Sequence, residues 1–201
     1  MFGSVEAYLF ADTETTGLSP FDSQPIEAAF VLTDKNLNVL NRLSLKINYE
    51  PEYGTVWHMS AEAVHGIAIQ VAKCHGVSQE EAVKEIHNFV RNSLPDVPFS
   101  GIYLAACNCA FDFYHLTTMW ERVNKKRAEN IETLMPPVPF SHRLIDINQL
   151  GMFSIGKNTS KKIADHLGID IDESKAHSAM YDAELHLKLF QGIINHVRKL
   201  S

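Results

Sequence analysis

Three strand-like segments precede any long helix, and from there strands and helices alternate; no other feature of these 201 residues constrains the fold as much. Tyr8 to Ala11 reads as a short buried strand ending at Asp12, with Ile26 to Thr33 and Val39 to Ile47 as two more. The turn-like Asp34-Lys35-Asn36 joins the last two, which makes an antiparallel meander. Ser60 to Val64 reads as a short helix capped by Ser60. Ser78 and Glu81 form a capping box that opens an amphipathic helix reaching about Asn92. Ile102 to Cys107 reads as a buried strand, followed by a helix from Phe111 to about Asn124. Pro136, Pro137 and Pro139 then break the chain, and Arg143 to Ile147 reads as a last strand. A short helix from Thr159 or Ser160 to Leu167 is stopped by Gly168, and a long final helix runs from roughly His177 to Val197. The expectation is an α/β fold: a mixed five-stranded sheet, an antiparallel meander and then parallel strands, with helices on both faces. No repeat or linker interrupts it, so residues 1–201 read as a single domain.

Charge and cysteine usage narrow the function. The net charge of −6 argues against a protein that grips long duplex nucleic acid through many phosphate contacts. It leaves room for a nucleic-acid enzyme whose phosphates meet bound metal over a small footprint. Lys125, Lys126 and Arg127, and likewise Lys157, Lys161 and Lys162, read as solvated helix faces. No apolar run approaches the roughly 20 residues that a membrane span needs, and no secretory layout opens the chain. Three cysteines, Cys74, Cys107 and Cys109, make no disulfide framework, which fits a cytoplasmic protein with no membrane partner.

The chemistry gathers at three places. Asp12 and Glu14 stand two apart at the end of the first strand, so both project to one side. Paired carboxylates repel unless a cation lies between them, and oxygen ligands suit Mg²⁺ or Mn²⁺. The Asp-x-Glu pattern is common and recurs at Asp182 and Glu184; its strand-end position, where α/β sheets place their sites, distinguishes the first copy. Gly17 allows a tight turn or a close approach of the backbone to a ligand. Asn108-Cys109-Ala110-Phe111-Asp112 follows another strand, with Asp112 able to begin or cap the next helix. His177 and Asp182 lie five apart, about 140° around an ideal helix. They meet only if His177 sits just before the helix while Asp182 occupies its first turns.

Taken together, these stretches resemble the DEDDh exonucleases, the DnaQ-like 3′–5′ exonuclease superfamily on an RNase H-like fold. The pattern D-x-E-T-T-G-L stands as Asp12 to Leu18, N-x-x-F-D as Asn108 to Asp112, and H-x-A-x-x-D-A as His177 to Ala183. Val64-His65-Gly66-Ile67 is similar to the V-H-G-I segment of proofreading enzymes, and Leu144-Ile145-Asp146 to the strand before that family's last two helices. The Trp57-His58-Met59 stretch and Ser78 to Arg91 are closer to oligoribonucleases.

The resemblance implies two-metal hydrolysis of a terminal phosphodiester, with two Mg²⁺ or Mn²⁺ ions held by Asp12, Glu14, Asp112 and Asp182 and with His177 as general base. It implies a substrate with a free 3′ end and single-stranded character, nucleoside 5′-monophosphates as products, and a polymerase or other replication partner. Thr15, Thr16, Gly17, Leu18, His65, Asn108 and Phe111 would contact that substrate. DNA is favoured because the TTGL and VHGI segments are closer to the proofreading type. The alternatives are an exoribonuclease of the oligoribonuclease or RNase T type, an RNase H-fold endonuclease or strand transferase, and an idle nuclease fold that docks a partner.

Overall fold

The computed structural model describes residues 5–199. Its sheet has five strands in the order β3-β2-β1-β4-β5. These are β1 (Ala7–Thr15), β2 (Pro25–Asp34), β3 (Val39–Lys46), β4 (Ile102–Ala106) and β5 (Leu144–Asp146). The first three form the antiparallel meander, and β4 and β5 continue parallel to β1. Seven helices accompany them among the described residues: α1 (Met59–His65), α2 (Ile69–Ala72), α3 (Gln79–Ser93), α4 (Cys109–Glu129), α5 (Ile147–Ile155), α6 (Ser160–Leu167) and α7 (Ala179–Arg198). The expected fold class is the observed one.

Alternation along β1 assigns its two faces. Ala7, Leu9 and Ala11 pack into one apolar layer with Ile86 of α3 and Leu116 and Trp120 of α4. Phe10 packs into the other with Ile163 of α6 and Leu189 and Phe190 of α7. Each fully buried Leu or Phe contributes about 1.5–3 kcal/mol, so both layers hold the central strand firmly. Continued by twos, the face of Phe10 carries Asp12 and Glu14, and the face of Ala11 carries Thr13. Both carboxylates therefore look toward α7.

Several boundaries differ from expectation, each for a local reason. β1 does not end at Asp12; pairing with β2 continues through Asp12↔Ala29 and Glu14↔Glu27, so both carboxylates lie within the strand. Ser60 does not cap α1, which starts at Met59 with His58 at its N-cap and no side-chain cap bond. α4 starts at Cys109, two residues early, because Asn108 takes the left-handed conformation (φ 59°) that lets β4 turn straight into the helix. β5 is only three residues long, since Asp146 ends it and caps α5, its carboxylate accepting from the Gln149 N–H at 2.9 Å. α5 and the single turn of α2 were not expected; Asp146-x-x-Gln149 is the signal that marks the first of them.

The loop from β1 to β2 is clamped at both ends. Thr16 exchanges hydrogen bonds with Gln24, and its carbonyl accepts from the His58 N–H at 2.8 Å. The Arg122 guanidinium donates to the carbonyls of Pro20 and Ser23, each at 2.6 Å. Gly17 has no positive φ; what requires glycine there is space, because a Cβ would overlap the His58 ring and the Ser23 hydroxyl. Gly17→Ala should therefore destabilise the protein by about 1–3 kcal/mol, the usual cost of overpacking. Adding His58→Ala should return part of the loss in thermal melts. Additive losses in the double variant would show that the two residues do not compete for the same space.

Candidate active site

β1 is hydrogen-bonded to β2 along its whole length, but its pairing with β4 stops at Phe10↔Ala105. Past that point one edge of β1 is open, at the place where antiparallel and parallel neighbours meet, and sheets of this kind leave a crevice there. A cavity of about 400 Å³ fills it. Asp12 and Glu14 enter from β1, Asp112 from the first turn of α4, and Asp182 from the first turn of α7. His177 also lines it, just before α7, with a left-handed backbone (φ 65°). One ligand atom each from Glu14, His177 and Asp182 lies within 4.8 Å of the others. The structure thus brings together all five of the catalytic residues expected.

Long-range hydrogen bonds fix these groups. The Thr13 hydroxyl donates to Asp112 at 2.9 Å and ties α4 to the opposite face of β1. The His186 ring donates from Nδ1 to the Ala11 carbonyl at 2.8 Å, one helical turn after Asp182. The His177 N–H donates to the Asp182 carboxylate at 2.9 Å. Asp146 accepts from the Cys109 N–H at 3.0 Å and anchors the start of α4 to the start of α5.

Electrostatically the site is strained. Burial, and then the charges of Asp112, Asp182 and Glu14, hold the Asp12 carboxyl well above the usual range. Burial and then Asp182, Glu27 and Asp112 push Glu14 up to about 7. Burial raises Asp112 to about 7 against the Thr13 hydrogen bond, and burial raises Asp182 against the pull of His177. Among the described residues, no Lys or Arg forms an ion pair with any of the four. Two buried and two half-buried carboxylates gathered without a Lys or Arg partner among the described residues fit divalent cations of the hard type. Asp12, Glu14, Asp112 and Asp182 could hold them.

The expected substrate contacts divide. Thr15, Gly17, Leu18, His65, Asn108 and Phe111 all line the cavity. Leu18 is 86% exposed, an apolar side chain standing free at the rim. Phe111 is part-exposed and borders the cavity instead of filling the core. Thr16 does not line the cavity: it is fully buried, and its hydroxyl accepts from the Gln24 N–H at 3.1 Å, so it shapes the loop. Glu62 bonds the Trp57 indole at 2.8 Å. In His65, Nδ1 accepts from the Ile67 N–H at 3.0 Å, which puts the hydrogen on Nε2, a buried atom without a hydrogen-bond partner among the described residues. Cys109 is buried and Cys107 half-buried, both without disulfides, and burial raises both thiols. Sequence reasoning missed Ser60, Ala61 and Val64, which wall the cavity from α1. It also missed Glu27, whose position opposite Glu14 follows only from strand register.

The raised carboxyls give a stability test with a definite sign. A carboxyl whose folded pKa lies above its unfolded value favours folding when protonated, and that contribution is lost as pH rises through the folded value. The metal-free protein should therefore lose stability between about pH 4 and pH 7, the ordinary carboxylate value and the raised values of Glu14 and Asp112. In chelator, Asp12→Asn should melt above wild type at the alkaline end of this range, and the gap should shrink toward the acidic end. Mg²⁺ or Mn²⁺ should raise the wild-type melting temperature and leave the variant nearly unmoved. Identical melting of the two proteins at every pH would remove the repulsion from the account.

Comparison with known proteins agrees with this geometry. The sequence profile of the exonuclease family (RNase_T) matches residues 9–190. A ribonuclease T of Vibrio campbellii is 28% identical over 193 residues, covering 94% of this chain and 86% of its own. A ribonuclease T of Shewanella denitrificans is 30% identical, with 94% and 81% covered. Among solved structures, a zinc-bound complex of Escherichia coli exonuclease I with single-stranded DNA superposes with a TM-score of 0.70 at 19% identity. The superposition takes in 97% of this chain but only 42% of that one, and an exonuclease I from Methylocaldum szegediense gives 0.70, 96% and 41%. At such identities these structures speak for the fold, and they share the mixed five-stranded sheet. Among the described residues no helix is long and apolar enough to cross a membrane. With a profile match over nearly its whole length, the chain belongs to the exonuclease family, in the DEDDh group of DnaQ-like 3′–5′ exonucleases.

Proposed function

We propose that the protein removes nucleoside 5′-monophosphates one at a time from the 3′ end of single-stranded nucleic acid, using two Mg²⁺ or Mn²⁺ ions held by Asp12, Glu14, Asp112 and Asp182. The observation that carries this reading is the convergence of four carboxyls, all raised first by burial, and of His177 on one cavity. Relatives named ribonuclease T, and structural neighbours solved with single-stranded DNA, support a single-stranded substrate. DNA is favoured on the TTGL and VHGI segments, and RNA is the arm to test beside it. In this reading residues 1–201 act as one exonuclease domain in the cytoplasm, which suits three free cysteines. A replication partner is left out, because it rests on the proofreading resemblance alone.

Bound divalent ions would supply positive charge against the phosphate and acidify an attacking water. The chain's own groups do the rest. Leu18, on the free rim of the Gly17 loop, offers an apolar surface to the terminal nucleotide, and His65 forms part of the same cavity's wall. The imidazole of His177 takes the proton of the attacking water. Its backbone is left-handed, uncommon for a residue with a side chain; a ring nitrogen lies within 4.8 Å of a carboxylate oxygen of Glu14 and of Asp182, and its N–H donates to Asp182.

That backbone decides the best variant. Asn tolerates the left-handed region better than Ala, so His177→Asn should lower kcat by about 10²- to 10⁴-fold, the usual cost of a lost general base, with its melting temperature kept. Unimpaired turnover would remove His177 from the chemistry. Asp12→Asn should show no turnover with either metal. On 5′-labelled single strands the wild type should give a ladder shortening from the 3′ end, on DNA and RNA compared side by side. Internal fragments released from a circular strand would contradict an exonuclease.

A further inference from the structure

The exonuclease reading accounts for the cavity but not for a second exposed apolar feature beside it. Phe21, three residues beyond Leu18 on the same loop, is also 86% exposed. Leu18 and Phe21 thus stand in water three residues apart on a loop that borders the catalytic cavity, where an apolar surface can serve a ligand. Arg122 of α4 holds this loop by its Pro20 and Ser23 carbonyls, so the loop lies along α4.

α4 presents a matching edge. Phe111, Thr118 and Lys125 are spaced by sevens, so they form one stripe that drifts by about 20° per step. Tyr114 lies beside it and is 55% exposed. The stripe starts at Phe111, in the wall of the cavity, and reaches Lys125 about 21 Å away, at 1.5 Å per residue. Lys125 is exposed and lines a second cavity with Arg122. Its neighbours are committed elsewhere: Lys126 lies 3.8 Å from Glu52, and Arg127 pairs with Glu80 and Glu132. Among the described residues Lys125 has no ion pair, although Glu121 and Glu129 stand one turn to either side of it along α4.

We propose that this edge is the track of the substrate strand upstream of its terminal nucleotide: Phe21 and Tyr114 stack on bases, and Lys125 meets a backbone phosphate. The occupant follows from continuity and chemistry. The surface begins in the wall of the catalytic cavity, and its aromatic faces followed by a lone cation match unpaired bases followed by phosphate. A duplex offers no free base faces to such a surface. The proposal rests on the exonuclease reading and deepens it by naming where the rest of the strand lies.

The test compares two substrates. One is a single-stranded octanucleotide. The other is the 4-nitrophenyl ester of thymidine 5′-monophosphate, which carries a terminal nucleotide and no upstream strand. In the wild type kcat/KM should favour the octanucleotide. Phe21→Ala and Tyr114→Ala should each shrink that preference by about 5- to 150-fold, the range of one lost stacking contact. Lys125→Ala should lower the slope of log affinity against log salt by about 0.7, one phosphate contact on a single strand. All three positions are exposed, and melting curves check that the variants remain folded. Variants that lose equally on both substrates, or on neither, would overturn the track while the exonuclease reading stands. A wild type inert on both substrates would overturn that reading and the track with it.

Discussion

Four carboxyl groups are held in one cavity against their own repulsion, and much of the architecture serves to keep them there. Taking such groups out of water costs several kcal/mol each unless protons or cations neutralise them. A strand at a sheet edge would relieve the strain by moving. β1 is instead the central strand, paired on both sides up to Phe10 and clasped by apolar layers above and below. Its rigid part ends where its open edge begins, so Asp12 and Glu14 project from a fixed base into the crevice. The other two carboxylates arrive on helix starts, which also favour negative charge.

Rigidity alone would not set their distances. Thr13 points to the face opposite Asp12, and through it β1 holds Asp112 directly. His186 holds α7 to the Ala11 carbonyl, so Asp182 is set by the same strand. Burial pushes the His186 ring down to about 4, which keeps it neutral and its Nδ1–H in place over the working range of the site. Asp146 joins the starts of α4 and α5 through its two oxygens. Asp112 and Asp182 are thus each referred to β1 by a hydrogen bond from a residue that is not itself a metal-ligand candidate, while His177 is tied to Asp182.

The five residues that meet in the cavity were legible in the sequence because each lies at a junction with a local signature. A strand running into Asp-x-Glu, a strand followed by Asn-x-x-x-Asp and a histidine five before an aspartate could all be read from spacing and element order. The sheet was legible for the same reason, since three early strands and a later alternation leave few topologies. Non-local matters were not legible. Thr16 looked like a substrate contact beside Thr15, yet its hydroxyl turns inward to Gln24, eight residues on. Gly17 suggested a tight turn or a close approach to a ligand, whereas the structure shows a need for space beside His58, a residue from another segment. The extent of β1 depended on how far β2 pairs with it, and the place of Glu27 on the register of that pairing. α5 was hidden because β5, the strand before it, is only three residues long, too short to stand apart from the helix in the hydrophobic pattern.

The charge balance explains how an acidic protein can act on a polyanion. Before cations enter, the cavity meets the substrate with four carboxyl groups and no Lys or Arg in its wall, and the −6 net charge adds a weak repulsion at distance. Phosphate affinity therefore has to be generated locally, by ions that the carboxylates themselves attract. Affinity for the rest of the strand has to come from contacts that do not depend on field, and the exposed faces of Leu18, Phe21 and Tyr114 are of that kind. A protein arranged this way depends on salt far less than one that neutralises many phosphates with lysines, where each contact adds to the salt slope. It also discriminates by form. Paired bases are stacked on each other and unavailable to the rim, whereas an unpaired 3′ end can leave its neighbours for the apolar surface of Leu18 at little cost. The proposed preference for single strands would then follow from where the apolar side chains stand.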